Sequence, residues 1–332
     1  MPEFTDIEKQ IFAVNSADRF NDLSLRIFHF QYEKNPLYHK FVDCLHTDIS
    51  QIKHHSQIPF LPIELFKQHK ILAGGFPVEE VFLSSGTSGV QRSQHFVAKA
   101  SVYKKSFTKG FEGFFGRAGN YVILALLPSY LEQGGSSLVY MTRELIALTG
   151  QEESGFYLNE YEKLAVVLTK LRDRKMKVIL LGVTYALLDL AGQFPVNFPE
   201  LILVETGGMK GRREEIVRES LHEILKQAFG IKQVYSEYGM TELLSQAWSK
   251  GEGIFETPPW MKVLIRDVND PLSLLPKGKS GGINIIDLAN LYSCSFIATS
   301  DLGKLLPGGN ERFTVLGRFD NSDVRGCNLL VG

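Results

Sequence analysis

The chain has few cysteines, no excess of basic residues and no long apolar run. Only Cys44, Cys294 and Cys327 occur in 332 residues, so we expect free thiols in a reducing, cytoplasmic compartment rather than a disulfide framework. Lys and Arg number 36 against 37 Asp and Glu, which excludes a broad nucleic-acid-binding surface. The longest apolar run, 121–127, is far below the ~18 residues that span a bilayer. The polar, acidic first residues are not those of a signal peptide.

What the chain does have is ordinary globular composition, with 44% hydrophobic and 22% charged residues. Strand-like apolar runs, glycine-rich turns and helix-like segments alternate through its middle, which predicts an α/β fold with parallel sheets flanked by helices. The pattern then changes to short strand-like pieces without helices between them. We therefore predict an N-terminal helical segment packed on the main domain (1–75), an α/β core (76–249) and a β-rich subdomain (250–332).

A loop of small residues follows the strand-like run that ends near Leu83. Its glycines let the backbone approach a ligand closely, its hydroxyls can donate hydrogen bonds, and its consecutive N–H groups can form an anion nest. A surface turn is the alternative, but the whole motif at a strand end favours phosphate binding. Gly278-Lys279-Ser280 is not a Walker loop, because Ser273 stands where that motif needs glycine. The phosphate-loop candidates are Ser84, Ser85, Gly86, Thr87, Ser88 and Gly89.

A second informative segment, 235–242, reads YSEYGMTE. Tyr238 and Gly239 would offer a flat face and an open backbone to a purine, and Thr241 would donate to a phosphate. Glu242 is a suitable ligand for Mg²⁺, a hard cation that prefers oxygen. A glycine turn followed by a helix with Thr241 as its cap explains the segment equally well, and the residues alone leave both explanations open.

Together these segments resemble the adenylate-forming superfamily of acyl-CoA ligases, luciferases and peptide-synthetase adenylation domains. Two further stretches occur in the family's order. Thr299-Ser300-Asp301-Leu302-Gly303 resembles the motif whose aspartate, here Asp301, holds the ribose hydroxyls. Gly317-Arg318-Phe319-Asp320 resembles the hinge motif whose arginine, here Arg318, reaches the ribose. The resemblance implies the large-domain fold of these enzymes, with ATP and Mg²⁺ as cofactors.

Residues 126–141, 205–213 and 324–331 resemble, more narrowly, the LuxE-type acyl-protein synthetases. That resemblance implies that a fatty acid is adenylated with ATP and passed to a cysteine near the C-terminus as an acyl-enzyme thioester. It also implies an acyl-CoA-reductase-type protein partner. The usual ligases continue past the hinge into a mobile domain that carries a catalytic lysine, and we expect that domain to be missing here.

Besides Thr241, two further candidate catalytic residues follow from this resemblance. Lys210 lies beside Gly207 and Gly208 at a strand end, where α/β proteins bind ligands, and would supply part of the missing lysine's role. A solvated lysine at a helix start is its ordinary explanation. Cys327 follows Arg325, and a nearby cation favours the thiolate that acylation requires. Cys44, on an apolar helix face, and Cys294, in a strand-like run, are expected to be buried and inert.

Two other functions remain open at this point. An acyl- or aryl-CoA ligase would use the same adenylation motifs but release acyl-CoA. A non-catalytic nucleotide-binding subunit would keep the fold without the chemistry, although the presence of Thr241, Glu242, Asp301 and Arg318 argues against it.

Overall fold

The computed structural model describes residues 2–84, 91–128, 134–207, 217–308 and 311–319, with side chains from residue 6 onward. It confirms the expected fold class: a large sheet flanked by helices, with a β-rich C-terminal region. No helix in these ranges is long and apolar enough to cross a membrane.

The N-terminal region is helical, as its pattern predicts. Helix α2 begins after Ser16, whose side chain accepts the backbone N–H of Arg19, and it buries an apolar face. Asn35 in turn caps α3 and donates its side-chain amide to the Ser293 carbonyl, so it anchors the helices to the β-rich region. The four helices are α1 (Pro2–Ile11), α2 (Ala17–Lys34), α3 (Pro36–Cys44) and α4 (Leu65–Gln68).

The remaining elements alternate through the core and then become mainly strands. The helices are α5 (Ala100–Phe115), α6 (Ser137–Thr149), α7 (Tyr161–Asp173), α8 (Thr184–Gln193) and α9 (Arg218–Phe229). The strands up to the end of the parallel region are β1 (Leu61–Pro62), β2 (Glu80–Leu83), β3 (Gln94–Val97), β4 (Val122–Leu126), β5 (Gly155–Phe156), β6 (Val178–Val183), β7 (Ile202–Thr206) and β8 (Tyr235–Tyr238). They are followed by β9 (Ala247–Ser249), β10 (Ile254–Glu256), β11 (Met261–Arg266), β12 (Ser280–Asp287), β13 (Phe296–Leu305) and β14 (Arg312–Arg318).

One mixed sheet runs through the described part of the chain. Its order is β11-β12-β13-β14-β10-β9-β8-β7-β6-β4-β5, with β1 paired to β13, while β2 and β3 form a separate hairpin. Strands β5, β4, β6, β7 and β8 are parallel, and β9 reverses direction beside β8. The C-terminal strands therefore continue the parallel sheet. The three-segment division of the chain stays a prediction.

The parallel strands determine where a site can form. Every residue of β4 and β6 is buried, because helices cover the sheet on both faces, and this explains their continuous apolar runs. Their carboxyl ends and those of β7 and β8 meet at one edge of the sheet. Ligands in α/β folds bind at such an edge, and the segment that begins at Gly239 leaves the sheet there.

Candidate functional site

The β2–β3 hairpin carries the predicted phosphate loop. Its register pairs Phe82 with His95, and Ser84 closes the base of the turn. The Ser84 N–H donates to the Ser93 carbonyl at 3.0 Å, and the Ser93 N–H donates to Ser84 Oγ at 2.8 Å. The Ser84 hydroxyl thus has a structural partner. The other predicted loop residues, Ser85 to Gly89, lie outside the described residues.

Three predicted adenosine-binding residues converge. The Tyr238 hydroxyl donates to Asp301 Oδ2 at 2.7 Å, and Arg318 Nε donates to Asp301 Oδ1 at 3.0 Å. Asp301 and Arg318 are register partners on β13 and β14, so their backbones fix this pairing. Asp301 is only 5% exposed, whereas the Arg318 side chain is 78% exposed. The Asp301 carboxylate is therefore buried, whereas the Arg318 guanidinium that pairs with it is exposed to solvent.

The Tyr238 ring is packed against the protein. It lies 5.8 Å from the Phe255 ring and 5.6 Å from the Phe313 ring, and the residue is 9% exposed. Burial and the neighbouring Asp301 carboxylate raise the pKa of Tyr238 well above its ordinary value, so the hydroxyl remains a donor. The expected stacking of this ring on a purine stays a prediction, and the contact that the structure shows is the hydrogen bond from the Tyr238 hydroxyl to Asp301.

Gly239 follows Tyr238 where the backbone passes close to an acidic side chain. A Cβ at this position would stand 2.4 Å from Glu237 Oε1, so a larger residue would displace that carboxylate. Glu237 Oε2 accepts the Thr206 hydroxyl at 2.5 Å. Burial, together with a smaller effect of the nearby Glu205, raises the pKa of Glu237 to about 7, although the hydrogen bond from Thr206 opposes this rise. Glu237 was not among the predicted site residues, although it lies inside the segment that pointed to the site.

The Thr241–Glu242 segment is held by side chains from three directions. His95 Nδ1 lies 2.8 Å from the Thr241 carbonyl, Asn290 Nδ2 donates to the Glu242 carbonyl at 2.7 Å, and the Ser93 side chain lowers the pKa of the Glu242 carboxyl group. The chain continues through a turn into β9, so the alternative of a helix capped by Thr241 is wrong. The segment is a braced loop.

Glu242 is the predicted magnesium ligand, and its carboxylate is a ligand type that fits that ion. The residue is 5% exposed, and burial raises the pKa of its carboxyl group, although Ser93 and the positive Arg318 and Lys67 oppose this rise. The described residues contain no group of three or more His, Cys, Asp or Glu that could hold a metal. A single carboxylate suffices here, because Mg²⁺ commonly takes one or two carboxylates and completes its shell with phosphates and water.

Asp287 braces the same loop further along. Its Oδ2 accepts the Leu244 and Ser245 N–H groups at 2.8 and 2.9 Å, and its Oδ1 accepts the Ser245 hydroxyl at 2.6 Å. Burial raises the pKa of Asp287 to about 6, against the effect of these donors. Nothing in the sequence marks Asp287 or Asn290 as part of the site, because they approach it only through the fold.

The turn after β7 is described only at its first residue. Gly207 has a φ of 66°, a conformation that favours glycine, and its carbonyl accepts the Thr184 hydroxyl at 2.5 Å. Gly208 and Lys210 lie outside the described residues, as does Cys327. Their predicted functions stay predictions.

The other two cysteines differ from each other. Cys294 is fully buried, as expected, and burial raises the pKa of its thiol to about 12, but it precedes β13 rather than lying within the strand. Cys44 is exposed, so the expectation of burial is wrong. It is the last residue of α3, whose buried face is formed by Tyr38 and Val42.

Comparison with known proteins supports the fold but does not establish a function. No protein-family model and no curated protein matches the chain. A solved structure of 2-hydroxyisobutyryl-CoA ligase with 2-HIB-AMP and CoA, in an open conformation, is similar with a TM-score of 0.64 and 16% identity, over 93% of this chain and 72% of that one. ATP-bound MatB from Rhodopseudomonas palustris is similar with a TM-score of 0.55 and 16% identity, over 74% of this chain.

The chain spans about half the length of the MatB structures, 49% in the ATP-bound form. An ATP-bound RpMatB-BxBclM chimera gives the same picture, with a TM-score of 0.56 at 18% identity. Identities this low establish a shared fold only. The fold expected from the superfamily resemblance is therefore confirmed, while the narrower LuxE-type resemblance receives no support from these comparisons.

Proposed function

We propose that this chain activates a carboxylic acid with ATP, forming an acyl-adenylate and pyrophosphate. The observation that carries the proposal is the convergence of Tyr238, Asp301 and Arg318 at the end of β8, next to a loop that presents Glu242 toward the Ser84–Ser93 hairpin. An ATP molecule whose adenosine binds at Tyr238, Asp301 and Arg318 would extend its phosphates and their metal toward Glu242 and the hairpin. The fold is shared with proteins whose structures contain ATP or 2-HIB-AMP.

The proposed reaction joins two anions, so it depends on positioning and charge. A substrate carboxylate oxygen attacks the α-phosphorus of ATP, and the bond from that phosphorus to the pyrophosphate oxygen breaks. Mg²⁺ bound with ATP would neutralise phosphate charge, and Glu242 would hold it. Asp301 and Arg318 would fix the ribose, and the backbone of residues 84–89 would bind the phosphates. Lys210 is the proposed cation near the reacting carboxylate, with Arg212 and Arg213 as neighbours in sequence.

Pyrophosphate exchange tests this function directly. Purified protein is incubated with ATP, Mg²⁺, labelled pyrophosphate and a panel of fatty, hydroxy and aromatic acids. Acid-dependent incorporation of label into ATP is the expected result. A protein that binds ATP yet exchanges with no acid would be a non-catalytic nucleotide-binding subunit.

We further propose that the acyl group passes to Cys327, as the LuxE-type resemblance implies. The thiolate attacks the acyl carbonyl carbon, the bond to AMP breaks, and AMP leaves with its negative charge. The resulting thioester would serve an acyl-CoA-reductase-type partner, with a fatty acid as substrate. An acyl-CoA ligase is the second candidate, since solved structures with this fold include a CoA ligase.

The acceptor is identified by labelling. With ATP, Mg²⁺ and a radioactive acid that supports exchange, the protein should acquire a label that neutral hydroxylamine removes. Cys327→Ser should abolish this label and retain exchange, because adenylation precedes transfer. Cys44→Ser is the matched control, since its thiol is exposed and should leave the label intact. Unlabelled protein that releases acyl-CoA when CoA is added would replace this proposal with the CoA ligase.

A further inference from the structure

His95 joins the two loops to which the proposed function assigns the phosphates and the metal. It lies on β3, is fully buried, and has its ring 5.8 Å from the Phe66 ring at 89°. Its Nδ1 is 2.8 Å from the Thr241 carbonyl oxygen, and its Nε2 is 2.9 Å from Ser293 Oγ. One imidazole thus contacts the loop after β8 and the segment before β13.

The partners of the ring determine its protonation. A carbonyl oxygen only accepts, so Nδ1 must carry the proton, and Nε2 then accepts the Ser293 hydroxyl. Burial lowers the pKa of His95 to about 4, which keeps the ring neutral near pH 7. Both ring nitrogens are satisfied in a single tautomer and a single orientation, so the ring acts as a rigid spacer.

Two residues of the β2–β3 hairpin act on two consecutive residues of the loop after β8, Thr241 and Glu242. His95 holds the Thr241 carbonyl, while Ser93, two positions before His95, lowers the pKa of the Glu242 carboxyl group. His95 and Thr241 are 146 positions apart in sequence, so no local turn could fix their distance. Asn290 holds the Glu242 carbonyl separately, through a different element.

We propose that His95 is a positioning residue for adenylation, which sets the separation between the hairpin that carries the phosphate loop and the Glu242 carboxylate. This inference rests on the proposed function, and it adds a residue that touches no reactant. It acts through the Thr241 backbone, and its loss would leave the Tyr238–Asp301–Arg318 cluster in place. Replacing His95 should therefore lower the rate of pyrophosphate exchange without weakening nucleotide binding.

His95→Leu tests the inference by keeping apolar volume and removing both hydrogen bonds. We expect the saturating rate of pyrophosphate exchange to fall about 10–100-fold, the scale on which partners of metal-site residues act. The affinity for AMP, measured without Mg²⁺, should stay close to that of the wild type. His95→Asn retains a donor near the Nδ1 position and should recover much of the rate.

His55→Leu is the matched control. His55 is also buried, but its ring contacts are with the N-terminal helix α2: its Nδ1 is 3.0 Å from Asn21 Oδ1, and it packs edge-on against the Phe20 ring. Its loss should lower the thermal unfolding midpoint while the exchange rate stays unchanged. A merely structural His95 would behave in the same way.

The outcomes separate the inference from the proposed function. If the wild-type protein exchanges pyrophosphate with no acid, both the proposed function and the inference are overturned. If the wild type is active and a folded His95→Leu is equally active, only the inference is overturned. A parallel loss of rate and AMP affinity also overturns it. If His95→Leu does not fold, Ser293→Ala removes the partner of Nε2 without altering the ring. A lower exchange rate with unchanged AMP affinity in that variant supports the inference, and an unchanged rate overturns it.

Discussion

The two sides of the candidate nucleotide site are built differently. On the ribose side, Asp301 pairs with Arg318, whose side chain is 78% exposed. On the metal side, Glu242 is 5% exposed, and the side chains that brace its loop, His95, Asn290 and Asp287, have no exposed surface. The ribose side therefore includes a solvent-exposed side chain, whereas the metal side is formed by buried side chains.

This difference has energetic consequences. Only the arginine of the Asp301–Arg318 pair is exposed, and solvent screens that side of the ion pair, so a ligand can replace the Arg318 contact at a lower cost than a buried contact. Buried polar groups are costly to leave unpaired, and the loop from Thr241 to Ser245 has partners for several of its backbone groups. We infer that the metal side is preorganised before ATP binds and that, on the ribose side, the exposed Arg318 side chain moves on binding.

Loss of charge on the metal side should have the largest effect. Glu242→Gln keeps the shape and removes the hard anionic ligand, so exchange should fall about 100-fold or more, since a metal contributes several kcal/mol and each ~1.4 kcal/mol is tenfold. The unfolding midpoint should stay constant or rise, because burial raises the pKa of Glu242 and the charged form costs stability. Exchange rates under saturating Mg²⁺ and thermal unfolding measure the two effects.

Glu205→Gln is the control for that variant. Glu205 is equally buried, at 6% exposed, and faces Arg218 and His222 on α9 rather than the hairpin. Its exchange rate should remain near that of the wild type. Near-normal exchange in Glu242→Gln would show that the metal is bound elsewhere. The buried side of the site would then no longer be the metal side.

The ribose side should respond to Asp301→Ala with an intermediate effect. Loss of hydrogen bonds to a charged group should weaken ATP and AMP binding by about 1–3 kcal/mol, or roughly 5- to 150-fold. Ser300→Ala is a suitable control, because the neighbouring Ser300 hydroxyl donates to Glu64 rather than to Asp301. Isothermal titration with AMP gives the affinities, and equal values for wild type and Asp301→Ala would rule out Asp301 as the ribose residue.

The sequence predicts much of the fold because its signals are local. The apolar runs of β4 and β6 and the periodicity of α7 depend on burial, and each lies within one stretch of chain. By contrast, β9 and β10 are three residues each, too short to form a pattern. Their pairing joins the parallel strands to the C-terminal strands, so the continuous sheet could not be foreseen.

The residues of the candidate site likewise fall into those that a local sequence motif predicts and those that only the fold reveals. Tyr238, Asp301 and Arg318 were predicted because each lies in a short motif, and the fold brings them together. Asp287 and Asn290 act through backbone groups more than 40 positions away, and a backbone group leaves no residue-type signal. His95 lies close to a predicted loop, but its partner Thr241 O is again a backbone atom.

Arg318→Gln should have the smallest effect and tests the exposed side of the comparison most directly. The unfolding midpoint should change little, because solvent screens the Arg318 side of the ion pair and the Tyr238 hydroxyl still donates to the buried Asp301 carboxylate. AMP affinity should fall less than in Asp301→Ala, and the loss should shrink as salt rises from 0.01 to 0.15 M, where the Debye length falls from about 30 to 8 Å. Titrations at both salt concentrations, with Arg312→Gln on the same strand as control, measure this dependence. An Arg318→Gln loss as large as that of Asp301→Ala, and independent of salt, would mean that the arginine is enclosed with the nucleotide, so that the ribose side becomes as rigid as the metal side once ATP is bound.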